Sequence, residues 1–236
     1  MIQADDMHAP ASALSESVEM YLKTVFELGT GGDYVPISAV AGRLDISPVS
    51  ATEMVHKLEA EGLFEHVPYR GVRLAPLGRS RAEQILRRHR IWECFLHDRL
   101  GVGWVDVHDL ACSLEHAVDE DVTEPLADWL GQPASCPHGN PIPEAPNQDM
   151  AGGVELGQLS AGDPAIVVRI RPERADVLAY LDARALRPGA EIRLQSREAL
   201  DGTLTLVLDG RTVVVGQSVA AHVIVRRRPP AKGAIP

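Results

Sequence analysis

The chain has 236 residues, of which 45% are hydrophobic and 24% charged, an ordinary globular mix that excludes wholesale disorder and leaves room for two small domains or one with an appendage. No stretch nears the ~18 apolar residues of a membrane span, and the opening MIQADDMHAP carries acids where an export signal carries bases, so a cytoplasmic location with no membrane partner is expected. Cys94, Cys112 and Cys136 form an odd set that fits reduced thiols better than a disulfide framework. The net charge is −10, which taken globally disfavours nucleic acid, yet residues 37–90 hold nine Lys/Arg against six acids, so an acidic chain contains a locally basic segment.

Val18, Tyr21, Leu22, Val25, Phe26 and Leu28 recur at the helical period and predict a first helix over 15–29. A short amphipathic helix follows over 37–44. Asp45-Ile46 breaks it, and Ser47 is a natural N-cap with Pro48 at the first position of a helix reaching about residue 61. Residues 64–67 and 71–74 read as a hairpin with Tyr69 and Arg70 at its tip. Helix, helix, tight turn, helix and hairpin is the order of a winged helix-turn-helix. A long helix over 77–100 and two more over 105–118 and 120–130 come next. Residues 132–148 contain five prolines and read as an extended linker. Beyond them the texture changes to five short strands (164–171, 191–197, 203–208, 211–215, 222–227), with an Asp209-Gly210 hairpin turn and one helix over 172–183, which suggests a small SH3-like barrel. The fold class is therefore mainly α with a small β domain. The domains are a winged helix-turn-helix over 1–75, a helical segment with its linker over 76–150, an SH3-like domain over 151–228 and a loose tail from 229.

The densest chemistry lies on the two helices after the hairpin. His89 and Glu93 are four apart and share a helix face, as do His108, Cys112, Glu115 and His116 on the next helix. Imidazole, thiolate and carboxylate are ligands for first-row divalent metals. Each residue alone is more often a solvated or packing side chain, but two such groups on successive helices after a winged helix point to a metal centre. Cys94 reads as packing, Cys136 with His138 as a chance pairing in the linker, and His8, His56, His66, His97 and His222 as surface residues.

These motifs, taken in order, resemble the diphtheria toxin repressor family of iron/manganese-dependent transcriptional regulators. Residues 18–24 (VEMYLKT) look like its first helix, Arg88-His89-Arg90 with Glu93 like its fourth, residues 107–116 (VHDLACSLEH) like its metal-binding fifth, and residues 139–143 (GNPIP) like the end of its dimerisation domain. The resemblance implies two ions per subunit, a homodimer, a palindromic double-stranded DNA operator, and neither a catalytic activity nor a small organic substrate. It implies a primary site of Met20, Cys112, Glu115 and His116. It also implies an ancillary site of His89, Glu93 and His108, completed by Glu173 and Asp176, which otherwise read as acids at a helix N-terminus. The sulfur donors Met20 and Cys112 favour Fe2+ over Mn2+, whereas the segments 46–50 and 69–74 resemble the manganese branch; Zn2+, Co2+, Ni2+ or Cd2+ would bind in vitro.

In the recognition helix, Ser47, Pro48, Ser50 and Ala51 are expected to approach base edges, with Glu53 as a cytosine reader. Thr52, Lys57, Tyr69 and Arg70 are expected at phosphates. Two other readings remain at this stage. A metalloenzyme would need a catalytic motif such as His-Glu-x-x-His, and the sequence has none. A metal-independent winged-helix regulator would use its SH3-like domain to grip a protein or peptide partner.

Overall fold

The computed structural model describes residues 14–29, 32–118, 120–146 and 152–228. The chain divides into two compact units, Met1–Ile85 and Leu86–Pro236. His8, the tail from Pro229 and the last two residues of the expected linker lie outside the described residues. Among the described residues, no helix is long and apolar enough to cross a membrane.

In the first unit, α1 (Glu16–Leu28) begins at Ser15, whose hydroxyl accepts the Val18 N–H at 3.4 Å. Its apolar stripe of Val18, Tyr21, Leu22 and Val25 is buried against Val40, Val55, Leu58 and Phe64. The next helix, α2 (Ile37–Leu44), stops at Asp45, which adopts a left-handed conformation (φ 54°) suited to its short polar side chain. Then α3 (Pro48–Ala60) opens with the Ser47 hydroxyl accepting the Ser50 N–H at 3.0 Å. Strands β1 (Phe64–Val67) and β2 (Gly71–Leu74) form the antiparallel hairpin, in register from Phe64↔Leu74 to Val67↔Gly71. Gly71 (φ 111°) cannot be another residue, because a Cβ there would strike the Val35 carbonyl, where residue 35 bridges to Val72. The winged helix-turn-helix order thus appears as expected.

The long helix α4 (Pro76–Asp98) carries the chain into the second unit. There α5 (Val107–Glu115) and α6 (Glu120–Trp129) follow. The Arg88 Nε–H donates to the Glu115 carbonyl at 3.0 Å and joins α4 to the end of α5. The Arg87 guanidinium meets both Glu124 oxygens at 2.7 Å and the Pro143 carbonyl at 3.0 Å, tying α4 to α6 and to the chain beyond it. The proline-rich segment is not an extended linker. Ser135 bridges to Pro141, the Cys136 N–H donates to the Asn140 carbonyl at 3.0 Å, and Cys136, His138, Asn140 and Ile142 are all buried. Prolines fix φ without fixing what the intervening side chains touch, so a turn-rich packed loop satisfies the same composition.

The β region is a six-stranded sheet in the order β3-β8-β4-β5-β6-β7, all antiparallel. Its strands are β3 (Val154–Glu155), β4 (Pro164–Ile170), β5 (Glu191–Arg197), β6 (Leu204–Leu208), β7 (Arg211–Val215) and β8 (Val223–Arg227). The two-residue β3 was not expected, since two residues show no alternation to read. Asp209 (φ 49°) and Gly210 (φ 75°) form the β6–β7 turn with both central residues left-handed, as such hairpins require. The apolar faces of the strands close on α7 (Ala175–Asp182) through Leu178 and Leu181, and a one-turn helix α8 (Gln217–Ala220) precedes β8. Trp104, from the loop before α5, is buried in this same β core.

Candidate metal centre and DNA-facing surface

Three parts of the second unit converge on one buried cluster. Helix α4 supplies His89 and Glu93, one turn apart on its inner face; α5 supplies His108; the connection from β4 to α7 supplies Glu173. Their ligand atoms all lie within 4.8 Å of one another, and all four residues are buried. Glu93 Oε1 is 3.0 Å from His89 Nε2, 3.2 Å from His108 Nδ1 and 3.3 Å from His138 Nδ1. Glu173 Oε2 is 3.4 Å from His108 Nδ1. One carboxylate oxygen with two lone pairs cannot accept well-aligned bonds from three rings. Glu93 Oε2 and His138 Nδ1 indeed make no hydrogen bond. Convergent donors left imperfectly satisfied at such separations fit a cation at their centre, because ligands ~2.1 Å from a metal stand about 3.4 Å apart.

The electrostatics agree. Burial alone would raise the Glu93 carboxyl, but the charge of His89 and the close imidazole nitrogens of His89, His108 and His138 hold it well below the usual range. Burial works against a charged His108 ring, yet hydrogen bonds to Cys112 and Glu93 and the charge of Glu173 push it up to about 10. His138 is likewise raised against its burial by Glu93 and Glu173.

A second group overlaps the first: Glu93, Cys136, His138 and Glu173. Here the chance pairing expected for Cys136 and His138 is corrected. The packed loop turns both side chains inward, and the carbonyl of Trp104 accepts from His138 Nε2 at 2.9 Å, so that Nδ1 faces the carboxylates. The Trp104 indole N–H in turn holds the loop through the Pro137 carbonyl at 2.9 Å. The Cys136 Sγ is 3.8 Å from Glu173 Oε1, and the Asn140 amide donates to that same oxygen. The Cys-x-His spacing was the sequence signal, but only the folded loop gives it partners. Asp176, by contrast, does not reach the cluster: it stays in the exposed first turn of α7, paired with Arg174 at 2.7 Å and accepting its neighbour's N–H from Val177. A residue three after Glu173 points elsewhere because Glu173 lies outside the helix. Cys94 is buried in packing as expected, its thiol pushed up by burial to about 12.

The expected primary set is divided between the two units. Met20 belongs to the first unit, half-buried, where it lines a groove of about 750 Å³ with Tyr21, Ile46 and Met54. Cys112, Glu115 and His116 belong to the second. Glu115 is fully buried, with Oε2 2.5 Å from His89 Nδ1 and Oε1 3.2 Å from His116 Nε2. Cys112 Sγ is 3.8 Å from His108 Nε2 and groups with His89 and His108.

In the first unit, Ser47, Pro48, Ser50, Glu53 and Lys57 are exposed on α3, and Tyr69 and Arg70 are exposed at the hairpin tip. The Thr52 hydroxyl donates to the Pro48 carbonyl at 2.8 Å. Ala51 corrects the expected base-contacting set: it is fully buried, and its methyl packs inward from the first turn of α3. Val49, which is not in the expected set, is instead 68% exposed there. The Arg70 guanidinium stacks over the Tyr34 ring at 4.6 Å, which orders it at the wing.

Comparison with known proteins matches this architecture segment by segment. Residues 13–72 match the iron dependent repressor N-terminal DNA binding domain, 75–144 the iron dependent repressor metal binding and dimerisation domain, and 154–227 the FeoA domain. The iron-dependent repressor IdeR of Mycobacterium tuberculosis (strain ATCC 25618 / H37Rv) is 33% identical over 225 residues, covering 89% of this chain and 96% of the relative. The diphtheria toxin repressor of Corynebacterium diphtheriae is 32% identical over 213 residues, covering 85% and 92%. A solved manganese-dependent transcriptional repressor in complex with manganese superposes with a TM-score of 0.81 at 32% identity, covering 89% of this chain and all of that one. With DNA-binding, metal-binding and FeoA segments in the same order and relatives aligned over nearly their whole length, the chain belongs to the diphtheria toxin repressor family of iron- and manganese-dependent transcriptional repressors.

Proposed function

We propose that this protein is a homodimeric repressor that binds a palindromic DNA operator when loaded with Fe2+ or Mn2+. The observation that carries the reading is the buried, convergent set of His89, Glu93, His108 and Glu173, with ligand atoms within 4.8 Å of one another, in a chain that also has an exposed winged-helix surface. Met20 sits on α1, whose other side chains form the core beneath the recognition helix α3. An ion taken by Met20 together with Cys112, Glu115 and His116 ties the DNA-binding unit to the metal-binding unit. This narrows the spacings that a dimer samples toward those matching successive operator half-sites, ~34 Å or a multiple apart. Shifting that population from 1:99 to 99:1 takes ~5.5 kcal/mol, which a set of four ligands can supply. Two sulfur donors in that set favour Fe2+, with Mn2+ as the competing effector.

Exposed apolar residues support the dimer: Leu110, Val122 and Trp129 stand 47%, 50% and 61% exposed on α5 and α6. At DNA, Ser47, Pro48, Val49, Ser50 and Glu53 face base edges, and Thr52, Lys57, Tyr69 and Arg70 face phosphates. The test is a gel shift at fixed salt with chelator, Mn2+ and anaerobic Fe2+. Metal is expected to tighten binding by about a hundredfold, and Cys112→Ala or Glu115→Ala to abolish the stimulation while leaving a folded dimer. Equal affinity with and without metal in the parent would refute the reading.

A further inference from the structure

The two buried donor groups share Glu93 and Glu173 yet remain distinct. His89 and His108 complete one, and Cys136 and His138 complete the other. We propose that the centre is dinuclear: Glu93 and Glu173 bridge two divalent cations, one capped by His89 and His108, the other by Cys136 and His138. The inference rests on the metal-dependent reading above and extends it.

Geometry separates the two caps. The His108 and His138 ring centroids are 6.3 Å apart, and the six donors do not form a single group with every pair within 4.8 Å. One ion therefore cannot hold all six donors, since ligands of a single first-row cation at ~2.1 Å lie no more than about 4.2 Å from one another. The carboxylates span the gap. Glu173 turns Oε2 to His108 at 3.4 Å and Oε1 to His138 and Cys136, each at 3.8 Å, one oxygen for each side. Glu93 places Oε1 between all three rings and keeps a second, fully buried oxygen without a hydrogen bond. Carboxylates that serve two sides in this way are the bridging elements of two-metal sites, whose ions stand about 3.5–4 Å apart. Both caps are oriented from behind. His89 Nδ1 meets Glu115 and His138 Nε2 meets the Trp104 carbonyl, so each ring directs its other nitrogen inward. The sulfur makes the two positions unequal: an all-nitrogen-and-oxygen position suits Mn2+ or Fe2+, and the thiolate position suits a softer ion.

The test uses the full chain, stripped of metal and reloaded anaerobically with Mn2+ or Co2+. With Mn2+, electron paramagnetic resonance should show an exchange-coupled pair. Either Cys136→Ser or His138→Gln on one side, or His89→Gln on the other, should convert it to the six-line signal of an isolated ion. With Co2+ in a Cys112→Ser background, the sulfur-to-metal charge-transfer band should survive His89→Gln and vanish in Cys136→Ser. Isolated Mn2+ signals throughout, or a parent whose band is absent, would overturn the dinuclear centre. If such a parent still binds operator only with metal, the repressor reading stands and the bridging alone is lost. If metal has no effect on DNA affinity, it is the repressor reading that fails.

Discussion

Glu93→Gln is the most informative single change to the metal-free protein. The carboxylate is fully buried, and its Oε1 lies 3.0–3.3 Å from three imidazole nitrogens. The amide keeps the shape and removes the charge that helps His108 hold its proton up to about pH 10. One pKa unit is about 1.4 kcal/mol, so retaining that proton at pH 7 is a stabilisation of roughly 4 kcal/mol. Cys112 and Glu173 share in it. Breaking one partner of a buried pair costs about 3–5 kcal/mol in general. A loss of about 3 kcal/mol is therefore expected, or a fall in Tm of about 6–12 °C for a unit of this size.

The sign with pH follows from the raised imidazole. Its stabilisation is fully present below the unfolded value of about 6.5 and is lost as pH rises through about 10. Thermal melts of parent and variant in chelator, from pH 5.5 to 9.5, should show the widest gap at the acidic end and convergence at the alkaline end. A variant as stable as the parent at pH 6, or a gap that widens with pH, would refute the account of the cluster. The same protons predict that metal binding releases protons and tightens from pH 6 to pH 8, which calorimetry in two buffers of different ionisation enthalpy measures directly.

Arg87→Ala removes a bidentate partner of Glu124 and the bond to Pro143, and is expected to cost about 1–3 kcal/mol in urea unfolding. Because Arg87 lowers the Glu124 carboxyl, that contribution is present above the unfolded carboxylate pKa of about 4.3 and fades as pH falls through the lower folded value. Arg70→Ala should weaken binding to all DNA sequences alike and reduce the slope of log K against log salt by about 0.9; a changed sequence preference would contradict a phosphate role. Val49→Ser should cost about 1–3 kcal/mol at operators with a thymine under the first turn of α3 and nothing on non-specific DNA, read by fluorescence anisotropy.

Much of this molecule was decided locally and could be read from residues a few positions apart. The Ser47-Pro48 start of α3, the left-handed stop at Asp45, the Asp209-Gly210 turn and the helical spacing of His89 with Glu93 depend on backbone geometry and on which side chains share a face. Such rules do not require knowing what lies across the interior. Composition marked 132–148 as rich in prolines, but what that segment touches depends on Trp104, more than twenty residues before it, and on the β core after it, and those contacts turned Cys136 and His138 inward to the buried carboxylates. The same dependence separates Glu173 from Asp176: both look like acids at one helix start, and only the approach of α4 and α5 brings the first into the cluster and leaves the second in water. Ala51 and Val49 differ for the same reason. Helical period assigns them to different faces, and only the packed core shows which face is inside. Spacing along the chain fixes which donors can share a helix face, whereas burial, charge compensation and ligation are properties of groups distant in sequence that meet when the apolar surfaces close.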